Sequence, residues 1–227
     1  MNSSGNGEPR RWRFLQLTLL IVAWMFALPH LGERWLAQLL LQLFLLFSLI
    51  VTLSVNPSWR RLRGAAIILW VLSALGSLLA LLPLAQTPGW QRVWRVFDTA
   101  TNLPLLALLP AGILAFAFRE RRPTVDGIFA TVAAYLLVGV LFGQAYALAI
   151  ELDPSSFNLA ADLTSYERQG SLLYFSFVTL ATLGYGDMLP LHSAVRTIAV
   201  VEAVVGQFYV AVIVAVFVGM FVSQRER

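Results

Sequence analysis

The sequence predicts an all-α membrane protein with six transmembrane helices and a shorter re-entrant segment between the fifth and the sixth. Of its 227 residues, 59% are hydrophobic and only 12% are charged, and the mean hydropathy is +0.75. About a quarter of the residues of an ordinary soluble domain are charged. A helix needs ~20 apolar residues to cross ~30 Å of hydrocarbon, and six apolar runs in the chain are long enough to be candidate spans.

The six apolar runs are the predicted spans. They cover residues 14–31, 35–55, 64–84, 99–118, 127–150 and 193–222. A polar stretch at 151–169 follows the fifth run, and the apolar segment after it, 171–183, is too short to cross. Segments of this size are typically re-entrant or interfacial. We expect a short helix at 172–181 with Ser171 as its N-cap.

The arginines predict the orientation of the spans. The chain has no lysine and no cysteine, so all sixteen basic residues are arginines. Eleven of them lie near residues 10–13, 60–63, 119–122 and 225–227, which fall on one side of six successive spans. Positive residues concentrate on the cytoplasmic side, so we expect a multi-pass protein of the inner or plasma membrane with both termini cytoplasmic. This arrangement indicates membrane orientation and contact with lipids rather than nucleic-acid binding.

The sequence TLGYGD at residues 182–187 interrupts the apolar pattern. Non-helical backbone at membrane depth must line a cavity, because unpaired carbonyls find no water in lipid. Aiming successive carbonyls at one axis requires positive φ at alternate residues, which glycine adopts without steric cost. Gly184 and Gly186 stand at that alternation. Four carbonyls are therefore predicted to surround a dehydrated cation, those of Thr182, Leu183, Gly184 and Tyr185.

These residues resemble the signature of the potassium channel family. TLGYGD matches the family's filter over six residues, with Leu183 where the family usually has Val or Ile. The segments LYFSFVTLATLGYGDMLP and VVEAVVGQFYVAVIVAVFVG are similar to prokaryotic channels of the two-helix pore type. The resemblance extends over about residues 127–222, and the first 126 residues carry no comparable signature.

The resemblance implies a four-span region with a cytoplasmic tail at 1–126 and a pore domain at 127–227. In chain order the pore domain would contain an outer helix, a turret, a pore helix, a selectivity filter and an inner helix, at 127–150, 151–169, 171–181, 182–186 and 193–222. One chain supplies a single filter strand, so a homotetramer around a central pore is implied. Potassium would be the permeant ion. We expect no enzymatic activity, no cofactor and no soluble ligand-binding domain in this chain.

Three residues are predicted to support the filter. The family pattern places an aromatic donor in the pore helix, which predicts a hydrogen bond from Tyr174 to Asp187. Glu202 is the only acidic residue deep within the sixth span. A charge there is costly, so Glu202 either steadies the filter from behind the pore helix or forms a structural interhelical hydrogen bond.

Four residues of the inner helix are assigned to the cavity and gate. Gly206 matches the family's hinge, which we favour slightly over simple close packing of helices. The matching positions imply that Gln207, Val210 and Val214 line the inner cavity.

Two alternative functions remain open, and a voltage sensor is not expected. The chain could be a weakly selective cation channel or a modulatory subunit. The GYGD sequence also fits the Gly-x-Gly-Asp pattern of intramembrane aspartyl proteases, with Asp98 as second carboxylate, but alternating glycines after a short helix are unexplained by that function. An arginine voltage sensor is not expected, because 99–118 contains no charge; Arg92 and Arg95 are interpreted as interfacial anchors.

Overall fold

The computed structural model describes residues 13–27, 34–56, 60–79, 87–119, 124–160 and 163–225. Within these residues the chain forms seven α-helices and a short 3₁₀ turn at Pro154–Ser156. The helices are α1 (Arg13–Ala27), α2 (Arg34–Val55), α3 (Arg60–Leu79), α4 (Pro88–Arg119), α5 (Val125–Leu152), α6 (Ser165–Leu180) and α7 (Ser193–Arg225). The all-helical prediction is confirmed for this part of the chain.

Four helices contain segments long and apolar enough to cross a membrane. These segments are Leu62–Leu79, Gly89–Arg119, Val125–Leu152 and Ser193–Ile213. Two shorter apolar segments, Arg13–Met25 and Leu39–Val55, lie in α1 and α2. The chain therefore has the helices of a membrane protein, and the count of six crossings stays a prediction that depends on α1 and α2.

The fourth span begins earlier than the hydropathy pattern predicts. The apolar run starts at residue 99, but α4 starts at Pro88 and includes Arg92 and Arg95. Both arginines bind the end of α5. These contacts explain why the polar residues before position 99 are helical. Arg92 donates to the carbonyls of Glu151 (2.8 Å) and Leu152 (2.7 Å), and Arg95 Nε lies 2.9 Å from Glu151 Oε1. Basic side chains stabilise helix C-termini in this way.

The short helix also begins earlier than expected, and the prediction of Ser171 as N-cap is wrong. The N-cap of α6 is Thr164, whose hydroxyl accepts from the Glu167 N–H (3.3 Å) while the Glu167 carboxylate accepts from the Thr164 N–H (2.8 Å). The sequence TSYE at 164–167 is a capping box. A search for apolar runs does not detect it, because its residues are polar.

The core is organised around α5, which packs against α1, α4, α6 and α7. Apolar side chains, most of them from α1, α2, α4 and α5, form the larger cluster. A smaller cluster lies behind α6 and contains three aromatic rings in edge-to-face contact. Their centroids are 5.6 Å apart for Tyr146 and Phe157, 5.1 Å for Tyr146 and Phe175, and 5.1 Å for Phe157 and Phe175. This cluster supports the back of α6.

A buried hydrogen-bond network joins α2, α3 and α4. The amide of Gln42 donates to Ser73 (2.7 Å) and Ser77 (3.0 Å). Ser73 then donates to Asn102 (2.5 Å), and Ser77 donates to Asp98 (2.7 Å). Polar groups buried away from water need such partners, so the network fixes the relative positions of these three helices.

Candidate functional site

The segment after α6 leaves the helix through a turn tied to the last helical carbonyls. The N–H of Thr182 donates to the carbonyl of Thr179 (2.9 Å), and the N–H of Leu183 donates to that of Val178 (2.8 Å). From there to Pro190 the backbone is non-helical. A helix that ends at Leu180 therefore positions residues 182–186 as a loop attached to its C-terminus.

Positive φ recurs at every second residue of this loop. The values are 58° at Gly184 and 77° at Gly186, which confirms the predicted alternation. The alternation also includes Thr182, two residues before Gly184, with φ of 56°. Among the described residues Thr182 is the only non-glycine with positive φ. Such a backbone costs about 1–3 kcal/mol and is typical of functional sites.

The loop carbonyls are free in the single chain. Among the described residues, no hydrogen bond reaches the carbonyls of Thr182, Leu183, Gly184 or Tyr185. The side chains of Leu183 and Tyr185 are 57% and 66% exposed. Backbone carbonyls in protein interiors are almost always paired, so a second component must meet this face of the loop if it is buried in the functional assembly.

The predicted hydrogen bond between Tyr174 and Asp187 is confirmed. The Tyr174 hydroxyl donates to Asp187 Oδ2 at 2.9 Å. Because Tyr174 lies on α6 and Asp187 directly follows the loop, the bond fastens the far end of the loop to the helix that carries its near end.

Residues 156–158 hold the chain beyond the loop, which the sequence did not indicate. Phe157 and Pro190 form an isolated antiparallel bridge. The Asn158 carboxamide accepts from the N–H of Leu189 (2.6 Å), and the N–H of Leu191 donates to the carbonyl of Ser156 (2.8 Å). An asparagine in a polar stretch carries no distinguishing pattern, so sequence reasoning had no signal for it.

Two carboxyl groups in residues 151–169 are held ionised by local hydrogen bonds. The hydroxyl and N–H of Ser155, together with nearby His192 and Arg92, hold the pKa of Asp153 below its ordinary value. The N–H and hydroxyl of Thr164 lower the pKa of Glu167 in the same way. These groups add negative charge at the end of α5 and the start of α6.

Glu202 lies behind α6, where it joins three helices. Its side chain is fully buried. It accepts from the Tyr146 hydroxyl of α5 (2.5 Å), and its other oxygen lies 2.5 Å from the Ser176 hydroxyl of α6. The Ser176 hydroxyl also donates to the carbonyl of Gly139 on α5, at 2.7 Å. The interhelical hydrogen bond expected of Glu202 is present, and it supports the helix that carries the loop.

Tyr146 and Ser176 were missed by sequence reasoning. A tyrosine within an apolar run fits a core position, and a serine in a short helix fits almost any position. The only signal was Glu202 itself, because a buried carboxyl group requires hydrogen-bond partners on the elements that pack against it.

Gly206 lies where α7 approaches α6 most closely. A Cβ built at Gly206 would lie 2.0 Å from the carbonyl oxygen of Leu180. The helix runs without a break from Ser193 to Arg225. Close packing therefore explains glycine at this position in this structure, and the function of Gly206 as a hinge stays a prediction.

Two of the three predicted cavity residues, Gln207 and Val210, lie on the side of α7 that the described chain leaves open. Gln207 is exposed and donates from Nε2 to the Thr182 hydroxyl at 3.0 Å. Val210 is 53% exposed. The side chain of Val214 lies outside the described residues.

The two aspartates required by the protease hypothesis have separate partners. Asp98 accepts from Ser77 (2.7 Å), whereas Asp187 accepts from Tyr174 (2.9 Å). No hydrogen bond joins the two carboxyl groups in the described part of the chain. A shared proton between paired carboxylates is the basis of aspartyl protease chemistry, so this arrangement does not support it.

Comparison with known proteins finds relatives for the C-terminal part of the chain. The family model described as ion channel matches residues 128–223. Over 109 residues, 48% of this chain, the sequence is 31% identical to "Two pore potassium channel a" of Oryza sativa subsp. japonica. Over 129 residues, 55% of this chain, it is 26% identical to "Inward rectifier potassium channel Kirbac3.1" of Paramagnetospirillum magnetotacticum. These matches cover 28% and 40% of the two relatives. No solved structure matches the chain.

Residues 128–223 therefore match the ion channel family, and the resemblance to potassium channels is confirmed. The matched region begins within α5 and ends within α7. It thus includes α6, the loop at 182–186 and the Glu202 cluster.

Proposed function

We propose that the protein is a subunit of a homotetrameric potassium channel, in which residues 182–186 are the selectivity filter. The observation that carries the proposal is the alternation of positive φ at Thr182, Gly184 and Gly186 directly after α6. This backbone turns successive carbonyls toward one side. The two relatives whose names describe potassium channels support the choice of ion.

The filter chemistry follows from the loop. The carbonyls of residues 182–185 replace the hydration shell of potassium as it passes, and the Thr182 hydroxyl adds an oxygen at the inner end. Potassium ions move through this ring down their electrochemical gradient. The C-terminus of α6 directs its partial negative charge toward the cavity below. No catalytic step and no cofactor is needed.

The tetramer is supported by what the single chain leaves uncovered. One loop encloses an ion on one side only, and closed symmetric rings are the common way to complete such a site. Only 11% of the apolar segment of α7 is buried by its own chain, compared with 50% of the apolar segment of α5. Neighbouring subunits and lipid would cover α7, and Gln207, Val210 and Val214 would line the cavity.

The first four helices do not contribute a voltage sensor in this proposal. Sensors require several arginines within a span, whereas Arg92 and Arg95 at the start of α4 already bind the end of α5. The ion pair between Arg95 and Glu151 is 2.9 Å long. The four-helix region instead packs beside the pore, among membrane lipids, with both termini cytoplasmic.

The proposal is tested by the reversal potential of the full-length protein in liposomes, with potassium inside and sodium outside. The wild type should reverse close to the potassium equilibrium potential. Gly184→Ala should abolish the current or move reversal toward zero, since φ of 58° is strained by about 1–2 kcal/mol for a residue with a Cβ.

Gly64→Ala is the matched control, because a Cβ at Gly64 meets nothing within 4 Å. It should leave the reversal potential unchanged. A wild-type reversal potential near zero would contradict potassium selectivity and favour a weakly selective cation channel. The absence of any current would favour a modulatory subunit.

A further inference from the structure

The hydroxyl of Ser176 has two oxygen neighbours and only one hydrogen. It lies 2.7 Å from the carbonyl oxygen of Gly139 and 2.5 Å from Glu202 Oε1. Both distances are those of O–H···O hydrogen bonds. A serine hydroxyl donates once and accepts through its lone pairs. Carbonyl oxygens cannot donate, so the hydrogen of the second bond must come from Glu202 if both contacts are hydrogen bonds.

We infer that Glu202 is a neutral carboxylic acid that positions α6 by donating its own proton to Ser176. The chain of bonds then runs in one direction, from Glu202 Oε1 to Ser176 and from Ser176 to the Gly139 carbonyl. The Tyr146 hydroxyl donates to Glu202 Oε2, which is the carbonyl oxygen of the acid. Every short contact in the cluster contains one hydrogen.

The surroundings of Glu202 are consistent with a neutral group. It is 0% exposed, and among the described residues no arginine forms an ion pair with it. The titratable groups that face it are two tyrosines of α5, Tyr146 and Tyr135, and tyrosine is uncharged at neutral pH. Burial of an unpaired carboxylate costs several kcal/mol.

A neutral Glu202 also affects ion conduction, and this step of the inference rests on the proposed function. The acid supports the helix behind the filter without adding a fixed negative charge close to the ion path. Loss of its proton would leave the Ser176–Gly139 or the Ser176–Glu202 contact without a hydrogen. We therefore expect alkaline pH to weaken the attachment of α6 to α5 and to reduce conduction.

Infrared spectroscopy of the full chain in liposomes tests the chemical state of Glu202 whether or not the protein conducts. At neutral pH the wild type should show the carbonyl stretching band of a protonated carboxylic acid, and Glu202→Gln should lose it. Glu167→Gln is the control, because Glu167 is exposed and ionised within its capping box, and it should retain the band. A spectrum without this band in the wild type, or an identical band in Glu202→Gln, would overturn the inference.

A second variant keeps the test decisive if Glu202→Gln does not fold. Tyr146→Phe removes the donor to the acid carbonyl, so the band should move to higher frequency. An unchanged band would overturn the assignment to Glu202. In conduction measurements, Glu202→Gln with Tyr146 unchanged should not lose current at alkaline pH. A wild-type current that does not fall at alkaline pH would contradict the effect on conduction and leave the infrared result to decide the protonation state.

Discussion

Asp187 and Tyr174 form the contact that closes the loop against its own helix. The bond is exposed in the single chain, and its oxygen–oxygen distance is 2.9 Å. Charge-assisted hydrogen bonds of this kind are stronger than neutral ones. The contact fixes residue 187 relative to α6, and with it the direction in which the preceding carbonyls point.

Tyr174→Phe should therefore destabilise the conducting loop. The ring is kept and only the donor is removed, so we expect current to decay faster during sustained recording and the thermal stability of the assembly to fall. Tyr209→Phe is the control. It removes the hydroxyl that donates to the Thr131 carbonyl (2.5 Å), away from the loop, and should lower stability without changing the decay of current. Equal decay in Tyr174→Phe and wild type would show that the bond does not hold the filter.

Residues whose chemistry is unusual for their location could be predicted from sequence. Two alternating glycines and an aspartate in an apolar context indicated the loop, and a lone glutamate in a span indicated a buried cluster. The partners of these residues could not be predicted, because Ser176, Tyr146 and Asn158 are common residue types in unremarkable positions. The positive φ of Thr182 was also missed, since threonine has no preference for that backbone.

At the scale of elements, the crossing of α6 and α7 depends on one missing side chain. The carbonyl of Leu180 occupies the position that a Cβ of Gly206 would need, at 2.0 Å. The N-terminal half of α7 therefore lies directly against the end of α6, close to where the loop begins.

Gly206→Ala should separate these two helices. The clash is with backbone, which cannot rotate away, so we expect a loss of about 1–3 kcal/mol in stability, measured by thermal dissociation of the assembly. Gly170→Ala on α6 is the control, because a Cβ there meets nothing within 4 Å and should stabilise the helix by about 1 kcal/mol. If Gly206→Ala kept wild-type stability and changed only the voltage or time dependence of opening, the hinge function would be favoured over packing.

The positions of the helices were more predictable than their ends. Apolar runs indicated all seven helices, but α4 and α6 each begin in polar sequence that hydropathy alone assigns to loops. In α6 the missed signal was the capping box that starts at Thr164. In α4 no local signal was available, because Arg92 and Arg95 are stabilised by the distant end of α5.

At the scale of the whole molecule, a helical region and an ion channel domain share one central helix. The start of α4 binds the C-terminal end of α5 through Arg92 and Arg95. Glu202 of α7 forms hydrogen bonds with α5 and α6. The position of α6, and so of the loop it carries, is thus coupled to the first helices through α5. The six-crossing topology and the symmetry of the assembly stay predictions. They rest on arginine distribution and family resemblance, since a single chain carries no contact between subunits.

In the proposed filter, main-chain oxygens of residues 182–185 from several identical chains meet around potassium. The most direct measurement is the structure of the full-length assembly with thallium in place of potassium, using anomalous scattering to locate the ions. We predict a column of anomalous peaks on a fourfold axis, each enclosed by carbonyl oxygens of this segment. Peaks elsewhere, or a loop at 182–186 that lies away from any symmetry axis, would contradict the proposed filter.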